Sequence, residues 1–239
     1  MNNFFITNVG QREINEDYVA CSVEDECGCF LLADGLGGHG KGEVASELVV
    51  KTAIKVYESL GYGEECICRA FEVAQSNLLN EQDRQKQYDA MKTTMVMCCI
   101  SEKKIQWGHI GDSRLYLFKN KRLKMRTIDH SVPQMLALSG DIKEKDIRFH
   151  PDRNRLLKVM GTPWNKAEYE INSPIKRKKN QAILMCSDGF WEYVTEKQME
   201  QCLKKAKNAK EWLELMVTIV CESESEELHD NFSAICIWC

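Results

Sequence analysis

Apolar positions arrive mostly in short runs, bounded by turn-forming residues, that are rich in β-branched and aromatic side chains. They predict strands at Asn3–Asn8, Tyr18–Ser22, Cys29–Ala33, Thr94–Ile100, Ile105–Ile110, Arg114–Phe118, Arg122–Arg126, Ala182–Cys186 and Phe232–Trp238. Two stretches change period. Over Lys41–Leu60, Ala45, Leu48, Val49, Ala53, Val56, Tyr57 and Leu60 recur at three- and four-residue steps, and a second amphipathic stretch runs from about Glu64 to Asn80. A later pair of helices is expected at Thr195–Ala206 and Lys210–Cys221. Strands, two helices, strands, two helices and a last strand read as an α+β arrangement with helices outside sheets, not as a regular βαβ alternation.

With 239 residues the chain is expected to form one domain, residues 1–239. At 44% hydrophobic and 28% charged residues, disordered and fibrous classes are disfavoured. A formal charge of −4 leaves no basic field for a nucleic-acid partner. The apolar runs are too short to cross a membrane, and the amino terminus lacks a signal-peptide pattern, so a soluble cytoplasmic protein is expected.

Twelve cysteines lie scattered, most of them within apolar runs, and read as reduced buried thiols. Cys236 and Cys239 form a C-x-x-C, but in a strand they face opposite ways, and no second pair completes a zinc site. Cys27 and Cys29 share a face without further soft ligands. The run Lys176–Lys179 reads as a solvated hairpin turn, and residues 131–155 as a charged surface insertion over an active site.

The informative feature is where the carboxylates stand. Asp34-Gly35 follows CFLLA, Asp188-Gly189 follows AILMCS, Gly111-Asp112 follows QWGHI, Asp230-Asn231 precedes FSAICIW, and Glu16-Asp17 opens a further strand. Carboxylates at several strand ends can converge at one sheet edge, and several hard oxygen ligands suit Mg²⁺ or Mn²⁺. Hairpin turns do not explain the Asp-Gly pairs at 34 and 188, because helices follow both. Residues 35–40 also spell G-x-G-x-x-G, with Glu58 at a dinucleotide-like distance. That reading requires a strand at Glu58, where helical periodicity continues through Leu60.

Together these residues resemble the metal-dependent Ser/Thr protein phosphatases of the 2C type in their compact bacterial form. The matching blocks run in family order: Arg12-x-x-Asn15-Glu16-Asp17, LADGLGGHGKGEVAS, Thr93-Thr94, GDSRLYL, IDHS, HPDRNRLLKVMG, CSDGFWE and DNFSA. The resemblance implies a central β-sandwich of two antiparallel sheets flanked by helix pairs. It implies two tightly held Mn²⁺ or Mg²⁺ ions and a weaker third. Asp34 would bridge the first two, with the Gly35 carbonyl on one of them and Asp188 and Asp230 on the other. Glu16 would support the ligands through water, Asp17 would orient the attacking water, and Asp112 with Asp17 would hold the third ion. Arg12 would grip the substrate phosphate. Phosphorylated proteins, the products of a Ser/Thr kinase, would be the substrates, and a monomer is expected.

One departure is visible: Leu36 stands where some relatives carry a histidine that can protonate the leaving oxygen. His39, His130 and His150 read as supporting residues rather than as proton donors or ligands. No C-x₅-R phosphate loop occurs, which sets a cysteine-phosphatase mechanism aside. The rival from another class is a catalytically inactive module that binds phosphoproteins, although every expected metal carboxylate is present.

Overall fold

The computed structural model describes residues 1–36, 40–63, 65–88, 90–164, 168–223 and 230–239. In chain order its elements are β1 (Asn2–Asn8), β2 (Asp17–Glu24), β3 (Cys27–Leu36), α1 (Gly42–Leu60), α2 (Cys66–Gln85), β4 (Lys92–Thr93), β5 (Met95–Ile100), β6 (Lys104–Ile110), β7 (Arg114–Lys119) and β8 (Arg122–Arg126). There follow α3 (Val132–Ser139), a 3₁₀ turn (Glu144–Phe149), β9 (Glu170–Ile171), β10 (Ile175–Lys176), β11 (Gln181–Cys186), α4 (Asp188–Trp191), α5 (Glu196–Lys205), α6 (Ala209–Cys221) and β12 (Phe232–Trp238).

The strands form two sheets, ordered β1-β12-β11-β7-β8 and β10-β6-β5-β3-β2, with β4 added beside β3 and β9 beside β6. Each pairing between these strands is antiparallel. Period-two alternation sends one set of side chains between the sheets: Phe30, Leu32, Val96, Trp107, Leu115, Ile183, Met185 and Ile235 are buried there. The opposite faces are covered by helices. α1 and α2 pack on Leu31, Ala33, Met95 and Met97, and α5 and α6 on Tyr116, Phe118, Leu184 and Ala234. Both faces of each sheet are therefore buried, which is why several strands read as continuous apolar runs. The expected α+β sandwich flanked by helix pairs is the observed architecture.

Cys236 packs toward the helices and Cys239 toward the space between the sheets, as strand geometry requires, and all twelve cysteines are free. Glu58 lies on α1, and a second helix follows it, so the dinucleotide pattern lacks its strand. The Lys176–Lys179 run departs from its expectation. β10 belongs to one sheet and β11 to the other, so the run crosses between sheets and makes no hairpin. Within it Arg177 is largely covered, donating to the Glu26 carbonyl at 2.6 Å and pairing with the Glu26 carboxylate at 2.5 Å. No helix among the described residues is long and apolar enough to cross a membrane.

Candidate metal and phosphate site

The site is built at one end of the sandwich, where β2 begins and β3, β6 and β11 end. Register places Asp17 directly opposite Asp34. Glu16 is held by its main chain: its N–H donates to Asn231 Oδ1 at 2.8 Å, and its carbonyl accepts from Gly35 N at 3.1 Å and Ser46 Oγ at 2.6 Å. Asn231 also donates to the carbonyls of Val9 and Ile14, at 2.8 and 3.0 Å, and so ties the loop carrying Arg12 to the start of β12.

Two backbone approaches depend on glycine. A methyl group on Gly35 would stand 2.3 Å from the Gly42 carbonyl oxygen, and one on Gly189 would stand 2.1 Å from the Asn231 carbonyl oxygen. These glycines let α1 and α4 begin hard against the neighbouring chain and bring Glu16 to Asp34, and Asp188 to Asp230.

Hydroxyls fix the aspartates. Asp34 N donates to Thr94 Oγ1 at 2.9 Å, and the Asp34 carbonyl accepts from Thr93 Oγ1 at 2.7 Å and Thr94 N at 2.8 Å. Ser187 Oγ donates to Asp17 Oδ2 at 2.8 Å and accepts from Ser233 N at 2.9 Å. Asp17 Oδ1 is buried without a partner. Arg12 Nη2 lies 2.9 Å from Asp230 Oδ2, both side chains being well exposed.

Electrostatics show that these groups crowd one another. Burial, then the charges of Asp188, Asp17 and Asp112, raises the Asp34 carboxyl well above its usual range. Burial and the charges of Asp188 and Asp129 do the same to Asp112, against the pull of Arg114. Asp188 is raised by burial and by Asp230, and Glu16 by burial, Glu43 and Asp230. Burial pushes Asp17 up to about 7 despite the hydrogen bond from Ser187.

Charge coupling thus links Glu16, Asp17, Asp34, Asp112, Asp188 and Asp230, Arg12 joins them through its pair with Asp230, and Gly35 stands next to Asp34 on β3. The donor set is all oxygen, one buried oxygen lacks any partner, and the carboxylates resist ionising together. Hard divalent cations supply the missing positive charge, so the residues fit the expected ions.

Sequence reasoning passed over several members. Glu192 is pushed up to about 7 by burial and the Asp188 charge, and Arg153 Nε stands 3.0 Å from it. Trp191 Nε1 donates to the Asp112 carbonyl at 3.0 Å. Arg114, beneath that indole at 3.5 Å, forms a buried two-pronged pair with Asp129 at 2.9 and 2.6 Å. Ser187 and Asn231 were likewise unassigned. All lie inside the quoted motif blocks, so position within a block was the available signal.

Residues 131–155 hold α3 and the 3₁₀ turn. Arg148 of this segment donates to the Trp191 carbonyl and, at 3.0 Å, to Glu196. With the Arg153–Glu192 pair, these bonds dock the insertion beside the carboxylate cluster. Leu36 is half-buried at the end of β3, opposite Lys92. His39 lies outside the described residues.

Known proteins share this architecture along most of the chain. The serine/threonine phosphatase stp of Listeria monocytogenes is 27% identical over 245 residues, covering 98% of this chain and 94% of that protein. The crystal structure of the serine/threonine phosphatase Stp1 from Staphylococcus aureus superposes with a TM-score of 0.88 at 26% identity, covering 100% of this chain and 95% of that one. The catalytic domain of the serine threonine protein phosphatase PstP, solved in complex with two manganese ions, shares the fold with a TM-score of 0.82 at 22% identity, covering 98% and 96%. The profile of the family described as Protein phosphatase 2C matches residues 7–233, and the chain belongs to that family.

Proposed function

We propose that residues 1–239 form one catalytic unit, a metal-dependent protein serine/threonine phosphatase whose cations are held by Asp34, the Gly35 carbonyl, Asp188 and Asp230. Glu16 supports them, and Asp17 and Asp112 hold a weaker third. The observation that carries this reading is the raised proton affinity of Asp17, Asp34, Asp112 and Asp188, which act on one another by charge, together with a buried, unpartnered Asp17 oxygen. When bound, Mn²⁺ or Mg²⁺ supplies the charge that acidifies the attacking water and neutralises the phosphoryl oxygens.

The chain's own groups do the rest. Arg12, exposed on the loop that Asn231 ties down, offers its planar fork to the substrate phosphate. Asp17 Oδ2 is fixed by Ser187, which leaves Oδ1 free to accept a hydrogen bond from the attacking water and orient it. Leu36 offers no proton to the departing serine or threonine oxygen, so that proton comes from water.

The substrates on this reading are phosphoproteins made by a Ser/Thr kinase, and the enzyme is a cytoplasmic monomer. Its twelve free cysteines support a reducing compartment. The test is phosphate release from phosphothreonine and phosphotyrosine peptides with Mn²⁺, before and after chelation. Selective, chelator-sensitive hydrolysis of the phosphothreonine peptide is expected. Binding of phosphoprotein without release would favour the inactive module.

A further inference from the structure

We propose that His130 is a positioning residue for Asp112, and that it ties the carboxylate to the base of the 131–155 insertion. The inference rests on Asp112 belonging to the reaction site. His130 takes both main-chain groups of the preceding Gly111: the His130 N–H donates to the Gly111 carbonyl at 2.9 Å, and the Gly111 N–H donates to His130 Nδ1 at 3.1 Å. Gly111 has φ +97°, in the left-handed region, and a methyl group on it would stand 2.6 Å from Thr94 Cγ2. The turn that delivers Asp112 is therefore strained for any other residue and is held by one residue, His130, through its main-chain N–H and its ring. On its far side, Trp191 holds the Asp112 carbonyl.

The same residue closes the insertion. The His130 carbonyl accepts from Leu157 N at 2.8 Å, Ser131 bridges Leu156, and Val132 N donates to the Arg155 carbonyl at 2.9 Å. A shift of the insertion relative to the sandwich thus pulls on the residue that fixes the Gly111-Asp112 turn. His130 itself is held by stacking on His109, with ring centroids 4.9 Å apart and planes 7° apart. His109 in turn donates from Nε2 to the Ile128 carbonyl at 2.8 Å.

His109, His130 and Glu170 place ligand atoms within 4.8 Å of one another, a set zinc could accept. The hydrogen bonds argue otherwise. With Nδ1 occupied by the Gly111 amide, the neutral His130 ring carries its proton on Nε2, which faces Glu170 Oε1 at 3.3 Å. A cation there would have to displace that proton from an otherwise neutral ring, so the Gly111 bond to Nδ1 and a metal on Nε2 exclude each other.

Asparagine can present its Oδ1 near the Nδ1 position of histidine, whereas glutamine presents its oxygen near Nε2. His130→Gln is expected to lower kcat on a phosphothreonine peptide at saturating Mn²⁺ by roughly tenfold or more, as loss of a ligand-orienting partner does, with KM changed less than about twofold. It is also expected to speed exchange of the Gly111 amide proton, measured by NMR without added metal. His130→Asn is expected to restore both. Equal behaviour of the two variants in kcat and in exchange would overturn the proposal.

Asp112→Ala separates the two readings. Wild-type turnover in Asp112→Ala would remove Asp112 from the site. Slow turnover there, with normal turnover in His130→Gln, would overturn the positioning role alone. Should His130→Gln fail to fold, the ¹⁵N shifts of the His130 ring in the native chain decide: the Nε2–H tautomer supports the positioning role and the Nδ1–H tautomer overturns it.

Discussion

Asp17 and Asp34 stand directly opposite each other across the β2–β3 ladder. Like charges in that relationship destabilise a sheet, and burial makes both carboxyls hold their protons more tightly than in the unfolded chain. The folded, metal-free protein therefore binds more protons than the unfolded one near neutral pH, and its stability falls as pH rises. Asp17 and Glu192, each pushed up to about 7, set the window. His109 and His130, lowered by burial, act in the opposite sense only below about pH 6.5, where unfolded histidine titrates. Between pH 6.5 and 8 the metal-free Tm is expected to fall by at least about 3 °C, the shift that about 1 kcal/mol produces at this size. Mn²⁺ is expected to reverse the trend. A metal-free Tm that is flat or rising over this window, followed by calorimetry, contradicts the crowding.

Gly189→Ala tests the close approach of α4 to β12. The added methyl would meet the Asn231 carbonyl oxygen at 2.1 Å, and the backbone that holds Asp188 must move. Chemical denaturation is expected to show a loss of about 1–3 kcal/mol, the usual cost of overpacking. Mn²⁺ affinity is expected to fall with it. Unchanged stability together with unchanged Mn²⁺ binding would mean that the approach is not needed.

Arg12→Ala separates substrate binding from metal binding. Arg12 is exposed and touches the cluster through Asp230. Its removal is expected to raise KM for a phosphopeptide by roughly tenfold, the value of one charge-assisted contact. Calorimetric Mn²⁺ affinity is expected to hold or rise, since Asp230 is then released from its ion pair. A lowered kcat at unchanged KM would place Arg12 in the chemical step instead.

The strand ends and their aspartates were legible because the sandwich buries both faces of its sheets and leaves the carboxylates as polar breaks after apolar runs. β4, β9 and β10, of two residues each, were not legible, since such pairing is decided by tertiary neighbours and leaves no period. The four-residue α4 is likewise too short to show periodicity. Residues that hold others in place were the main omission. Ser187, Asn231 and Trp191 act through hydrogen bonds to main chain or to a carboxylate far away in sequence, and no local spacing encodes such a partner. The Lys176–Lys179 turn was misread because charge alone does not reveal that the strands beside it lie in different sheets.

Asp112→Ala probes the outer part of the cluster. Trp191 and His130 fix its backbone from both sides, while Asp34, Asp188 and Asp230 stand on other elements. The variant is expected to lower kcat by about ten- to a hundredfold while two tight Mn²⁺ ions still bind. Loss of the tight ions in calorimetry would move Asp112 into the primary pair.

The most direct test of the central claim is phosphate release by Asp34→Asn from a phosphothreonine peptide at saturating Mn²⁺. Replacing the carboxylate at the centre of the cluster is expected to cut kcat by at least about a hundredfold, more than the loss of an outer partner does. It is also expected to raise the metal-free Tm by relieving the opposition to Asp17. Turnover within about tenfold of the native chain would contradict the assignment of the reaction to this cluster.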